Sequence, residues 1–138
     1  MQITLKAVAK GDKATYIIEA DGETLKQEVV RVFEDSSSLL KKRTLEVLVK
    51  GLLEVKDLVK HEDNLIIYLE NGHLVKWLTE EYEYDGYDKM ATVLNLIDNL
   101  DCKVSIQTKN LRNIRTKLQD TETEKEDVLD FARIMMDD

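Results

Sequence analysis

The sequence contains no proline, five glycines and a single cysteine, Cys102. One cysteine cannot form a disulfide within the chain, and neither His61 nor His73 has a second histidine or cysteine at metal-ligand spacing, so a structural zinc site is not expected. No stretch has the composition of a flexible linker, and no internal repeat is visible. Because 138 residues is a usual length for one domain, we expect a single domain over residues 1–138.

Long hydrophobic runs are also missing from the sequence. No apolar segment approaches the roughly 18 residues that a membrane-spanning helix needs. The amino-terminal sequence MQITLKAVAK has lysines where a signal peptide is apolar. We therefore expect a protein that does not associate with membranes and that lies in the cytoplasm.

The charge is strongly unbalanced, with 28 acidic and 20 basic residues and a net charge of −8. Such a balance argues against broad adhesion to phosphate backbones, which depends on lysine and arginine, but it leaves room for a local basic patch. One candidate patch lies between Asp101 and Asp120, where cations occur without an acid; a solvated basic face is the commoner explanation of such a run. The candidate contact residues there are Lys109, Arg112, Arg115 and Lys117, and an acidic loop adds Tyr82, Tyr84 and Tyr87.

Hydrophobic periodicity predicts the element order βββαβααβα. Asp21-Gly22, between two β-rich runs, predicts a tight hairpin turn within an antiparallel meander. The predicted strands of the meander are Gln2–Lys10, Ala14–Ala20 and Thr24–Glu34. The elements predicted after it are a helix over Ser36–Lys60, a strand over Asn64–Glu70, helices over Gly72–Glu81 and Tyr87–Leu100, a strand over Cys102–Thr108 and a helix over Glu122–Met136.

This element order resembles that of the ribonuclease H family, and three local motifs agree with it. RTLEVLV, from Arg43, resembles the family's helix with a glutamate near its start. IIYLENGHLVKWL, from Ile66, resembles a strand that ends in Thr-Asp-Ser and turns into a short helix. DVLDFAR, from Asp127, resembles the family's Asp-x-Leu-Ala segment. The resemblance covers essentially the whole chain and implies an α/β fold with a five-stranded mixed sheet flanked by helices.

The resemblance also implies a chemistry. Enzymes of this family cleave phosphodiesters with two divalent ions, one activating water and one stabilising the leaving oxygen, and such ions need converging carboxylates. The matching acids here are Glu46, Glu70 and Asp130, with Asp127 as the alternative in the last helix. The first-strand acid is absent, because the alignment places Lys6 at its position.

A lysine at a ligand position repels a metal ion, so Lys6 has two interpretations. In one, its ammonium takes the place of the metal and pairs with Glu46 and Glu70. In the other, it is an ordinary exposed lysine of a strand. The first-turn residue Asp12 is a candidate replacement for the missing ligand if the site does bind magnesium or manganese.

Three functions remain open from the sequence. The favoured hypothesis is a catalytically degenerate ribonuclease H-like protein that binds a protein partner or a nucleic acid such as an RNA/DNA hybrid through Lys109–Lys117, with no cofactor. The second is an atypical metal-dependent nuclease that uses Glu46, Glu70 and Asp130. The third is an acidic inhibitor or structural protein that only inherits the fold.

Overall fold

The computed structural model describes residues 1–11, 13–31, 39–80 and 88–118. Its strands are β1 (Gln2–Lys10), β2 (Lys13–Ala20), β3 (Glu23–Arg31), β4 (Asn64–Leu69) and β5 (Lys103–Thr108). Its helices are α1 (Leu39–Val55), α2 (Gly72–Glu80) and α3 (Asp88–Asp98), and residues 112–118 form a further short helical segment.

The five strands form one sheet in the order β3-β2-β1-β4-β5. The first three strands pair antiparallel as neighbours, whereas β4 and β5 join the sheet by parallel pairing to β1 and β4 respectively. Parallel neighbours need a crossover connection, and α1 lies between β1–β3 and β4 in the chain. The predicted five-stranded mixed sheet flanked by helices is therefore confirmed.

The turn between β2 and β3 is the tight hairpin turn predicted from Asp21-Gly22. Asp21 has φ of 53° and Gly22 has φ of 80°, which is the backbone conformation that a two-residue hairpin turn requires. Beyond the turn the ladder is irregular, because Ile18 pairs with Lys26 while Glu19 pairs with Thr24. Leu25 is thus an extra residue, and β3 carries a bulge at this point.

The core lies between one face of the sheet and α1. Alternate residues of β1 point to this face, and Ile3, Leu5 and Ala7 are fully or almost fully buried. Close contact with α1 depends on Gly51, where an added Cβ would lie 2.7 Å from Leu5 Cδ1. The buried partners from α1 are Leu45, Leu48, Leu52 and Val55.

The structure differs from the sequence prediction most clearly in two helical regions. Helix α1 ends at Val55 and not at Lys60, because the chain turns through three-residue hydrogen bonds such as Leu58 N–H to Val55 O (2.8 Å) before it enters β4. Residues 112–118 are helical where the sequence predicted only a polar, basic stretch. The predicted helix over Glu122–Met136 lies outside the described residues.

No helix in the described ranges combines the length and the apolar character needed to cross a membrane.

Candidate functional site

The candidate site lies where β1 and β4 end. In their parallel register Ala7 stands opposite Leu69, and the next residues, Val8 and Glu70, line the same cavity. Carboxyl ends of parallel strands meet at one edge of a sheet, which is the usual place for a ligand site in such folds. A cavity of about 350 Å³ opens there, lined by Ala7, Val8, Ala9, Lys10, Thr44, Glu70, Asn71 and Arg115.

Glu70 uses both of its carboxylate oxygens within the chain. Oε1 accepts a hydrogen bond from Arg115 Nε at 2.5 Å, and Oε2 accepts one from the Leu111 N–H at 2.9 Å. The Glu70 and Arg115 side chains also form an ion pair that is only partly exposed. Glu70 therefore fastens the segment that follows β5 to the end of β4.

The sequence of the short helical segment 112–118 does contain a helix pattern, but the pattern is too short to stand out in the hydrophobic periodicity of a longer stretch. Asn110 Oδ1 accepts the Arg112 N–H at 2.8 Å and caps the first turn. Leu111, Ile114 and Leu118 have the i, i+3, i+7 spacing of a helix face, and both leucines are buried. The same turns leave the side chains of Arg112 and Lys117 exposed.

Lys6 lies on the sheet face opposite α1, but it does not pair with Glu70. Its Nζ lies 2.8 Å from Glu19 Oε1, on the neighbouring strand β2, and its partner in the parallel register is Tyr68. The structure thus replaces the predicted pairing of Lys6 with Glu46 and Glu70 by two separate ion pairs, Lys6–Glu19 and Arg115–Glu70.

Helix α1 contributes Thr44 to the cavity, and Glu46 is not among the cavity's lining residues. Two residues along an α-helix turn a side chain by about 200°, which separates Glu46 from the direction of Thr44. Glu46 is half-buried, and its role as a ligand stays a prediction. The structure therefore brings together two of the predicted residues, Glu70 and Arg115, in one ion pair.

Two more basic residues border this region. Lys109 extends the β4–β5 ladder through its N–H to Leu69 O (2.9 Å), and its Nζ lies 4.6 Å from the ring centroid of Tyr68. Lys10, at the end of β1, borders a second depression of about 220 Å³ together with Arg112, Arg115 and Thr116. The sequence did not single out Lys10, because its placement beside Arg115 depends on contacts distant in the chain.

Several predicted site residues lie outside the described ranges. They are Asp12, Tyr82, Tyr84, Tyr87, Asp127 and Asp130.

The described residues do not fit a two-metal site. Magnesium and manganese prefer several oxygen ligands at one point. The cavity at the strand ends offers one carboxylate, Glu70, and its two oxygens already accept hydrogen bonds. Within residues 1–11, 13–31, 39–80 and 88–118, no group of three His, Cys, Asp or Glu side chains is placed to hold a metal ion.

Comparison with known proteins identifies the architecture. No protein-family model and no curated protein matches the chain. Among solved structures, RNase H1 from the halophilic archaeon Halobacterium salinarum NRC-1 superposes with a TM-score of 0.65 at 14% identity, covering 87% of this chain and 97% of that one. LC11-RNase H1 in complex with an RNA/DNA hybrid gives 0.62 at 14% identity, covering 81% and 86% of the two chains. The N-terminal RNase H domain of a Mycobacterium tuberculosis protein gives 0.63 at 9% identity, covering 86% and 95%. The chain therefore has a ribonuclease H-like fold.

Proposed function

We propose that this protein binds nucleic acid through its basic segment Lys109–Lys117 and does not cleave it. The observation that carries the proposal is the bonding of Glu70, whose carboxylate is occupied by Arg115 and the Leu111 N–H. A carboxylate that binds a divalent ion must offer its oxygens to the metal. Here the same oxygens hold a cationic segment against the sheet.

The basic segment has the chemistry of a phosphate contact. Lys109, Arg112 and Lys117 are exposed, and Arg115 is half-buried beside Glu70. Contacts of lysine and arginine with phosphate oxygens fix a protein on a nucleic acid without reading its sequence. The net charge of −8 argues against broad adhesion to phosphate backbones and leaves room for a local contact of this kind. The similar LC11-RNase H1 was solved with an RNA/DNA hybrid, which supports a nucleic acid over a protein partner.

The absence of a metal cofactor is part of the proposal. Activity as a nuclease would need acids from outside the described ranges, such as Asp130 or Asp12, to complete a set with Glu46 and Glu70. It would also need Arg115 to leave Glu70, because a guanidinium beside the site repels a divalent ion. We therefore place the nuclease hypothesis second.

The experiment measures the binding and the cleavage of a fluorescently labelled RNA/DNA hybrid by the full chain. We expect binding that weakens as salt is added, and no cleavage in magnesium or manganese. Lys117→Ala should weaken binding, whereas Lys50→Ala, which removes an exposed lysine of α1, should not. Cleavage that disappears in Glu70→Gln would overturn the proposal in favour of a nuclease. No binding at low salt would overturn it in favour of a protein partner, including the basic partner of an acidic inhibitor.

The proposal treats residues 1–138 as one domain that acts in the cytoplasm. The five strands of the described part share a single sheet and one buried core, which supports the single domain. The cytoplasmic location stays a prediction from the sequence.

A further inference from the structure

Two adjoining depressions at the end of β1 share the side chains of Lys10 and Arg115. The larger one contains Glu70, and the smaller one adds Arg112 and Thr116. The side chains that border the two depressions include three cations and one carboxylate, at the strand ends where the fold's metal-dependent relatives would need acids. The local charge is therefore reversed in sign from that of a metal site.

The hydrogen bond to Glu70 orients the Arg115 guanidinium and leaves other donors of the group open to a ligand. A guanidinium has five N–H donors, and the bond to Glu70 is made by Nε, so the two Nη nitrogens keep four donors. The Leu111 N–H holds the other oxygen of the same carboxylate, which fixes Glu70 and with it the guanidinium. A planar donor set that is already held in place loses little conformational freedom when it binds an oxyanion.

Lys10 and Arg112 approach the same depression from different parts of the chain. Lys10 is the last residue of β1, and Arg112 begins the helical segment, where Asn110 holds its N–H. Thr116 is exposed and borders the depression, and its hydroxyl donates to Arg112 O at 3.0 Å. The ammonium and guanidinium groups around this depression are donors for a tetrahedral oxyanion.

We propose that the depression formed by Lys10, Arg112, Arg115 and Thr116 binds one phosphate group directly, through cationic side chains and without a divalent ion. This inference rests on the proposed function and adds to it a defined subsite, a new contact residue in Lys10 and independence from metal. The phosphate belongs to a nucleic acid, either as an internal phosphodiester or as a terminal phosphate.

The test compares hybrid binding in EDTA and in magnesium at equal ionic strength, using the full chain. We expect the same affinity in both. Lys10→Ala and Arg112→Ala should each weaken binding and lower the slope of log affinity against log salt by about one unit, as the loss of one phosphate contact predicts. Lys10→Arg should retain binding, and Lys50→Ala serves as the matched control. Thermal melting of each variant checks that it folds.

The two sources of phosphate are separated by oligonucleotides with and without a 5′-phosphate. A gain in affinity from the 5′-phosphate that is lost in Lys10→Ala assigns the subsite to a terminal group. If the oligonucleotides with and without a 5′-phosphate bind equally well, and Lys10→Ala weakens the binding of both by the same factor, the subsite is assigned to an internal phosphodiester. Both outcomes support the subsite.

Two results would overturn the inference. One is hybrid binding that requires magnesium and is abolished by EDTA. The other is parental affinity in both Lys10→Ala and Arg112→Ala while Lys117→Ala still weakens binding. In either case nucleic-acid binding itself would stand, so the failure of the subsite is distinguishable from the failure of the proposed function.

Discussion

Lys6 and Glu19 form an ion pair across the β1–β2 hairpin, with Lys6 Nζ 2.8 Å from Glu19 Oε1. The residue directly opposite Lys6 is Ile17, so Glu19 is a diagonal neighbour on the same face, within reach of a long side chain. Thr4 Oγ1 donates to the same carboxylate at 3.4 Å. This local network accounts for the lysine without a metal site.

Lys6→Asp should therefore not create a metal site. The substitution places two carboxylates on adjacent strands, and we expect the free energy of unfolding to fall by about 1 kcal/mol through the lost pair and the new repulsion. Urea denaturation measures the loss, and Lys6→Met separates the lost pair from the repulsion. Manganese titration should show no gain in metal affinity over the parent. Tight manganese binding by Lys6→Asp would support the alignment that places Lys6 at the position of the missing acid.

Val8 is the position of β1 where an acid would meet Glu70. Val8 is 3% exposed and lines the same cavity. The double variant Val8→Asp with Arg115→Ala should bind manganese measurably, because two carboxylates then share the cavity without the guanidinium. Val8→Asp alone should bind less, since Arg115 remains. Val8→Asn with Arg115→Ala is the matched control, and calorimetric titration together with circular dichroism distinguishes binding from unfolding.

The Arg115–Glu70 pair should stabilise the segment after β5. Arg115→Lys keeps the charge but removes the Nε donor, and we expect a loss of about 1–2 kcal/mol together with faster hydrogen exchange at the Leu111 amide. Arg112→Lys, at an exposed position of the same turns, should change neither quantity. Equal stability and equal exchange in the two variants would contradict a fastening role for Glu70.

A side chain at Gly51 should weaken the packing of α1 on the sheet. An alanine Cβ would lie 2.7 Å from Leu5 Cδ1 and 3.2 Å from Tyr16 Cβ, so the Leu5 side chain or α1 must shift. We expect Gly51→Ala to lower stability by about 1–3 kcal/mol by overpacking, although alanine favours a helix by up to about 1 kcal/mol. In Gly72→Ala the nearest atom is Thr108 Oγ1 at 3.9 Å, and the change should stay within about 0.5 kcal/mol.

His61 gives stability a weak dependence on pH. Its Nδ1 lies 3.0 Å from Asp101 Oδ1, and this hydrogen bond and the carboxylate charge raise the pKa of His61 above its ordinary value of 6.5. The protonated form is thus favoured in the folded state, so its contribution is complete below about pH 6.5 and is lost as the pH rises through the folded pKa. The Tm difference between the parent and Asp101→Asn should be larger at about pH 5 than at about pH 8. A constant difference would contradict the pairing.

The sequence predicts the strands of this fold well because alternation and turn chemistry are local. Asp21-Gly22 requires its own positive φ values, and the apolar alternation of Ile3, Leu5 and Ala7 sets the buried face of β1. Helix boundaries are less predictable, as the early end of α1 at Val55 shows, because the path into β4 decides where the helix stops.

The candidate site is predicted only in part for a related reason. Glu70 falls at the end of β4, as its place in the strand motif indicates. Its partner Arg115 lies 45 residues away, and no local pattern joins the two. The family resemblance predicts that other acids lie beside Glu70. In the structure, the packing of the buried Leu111 and Leu118 places a cation, Arg115, beside it.

The bulge at Leu25 has a consequence for solubility. Strand β3 is at the edge of the sheet and residues 23–29 are exposed, and an open edge of this length is a template on which another chain can add a strand and aggregate. The extra residue reverses the inward and outward alternation partway along β3. A straight incoming strand can match the side-chain faces on only one side of Leu25, so fibrous growth along this edge is limited by the fold itself.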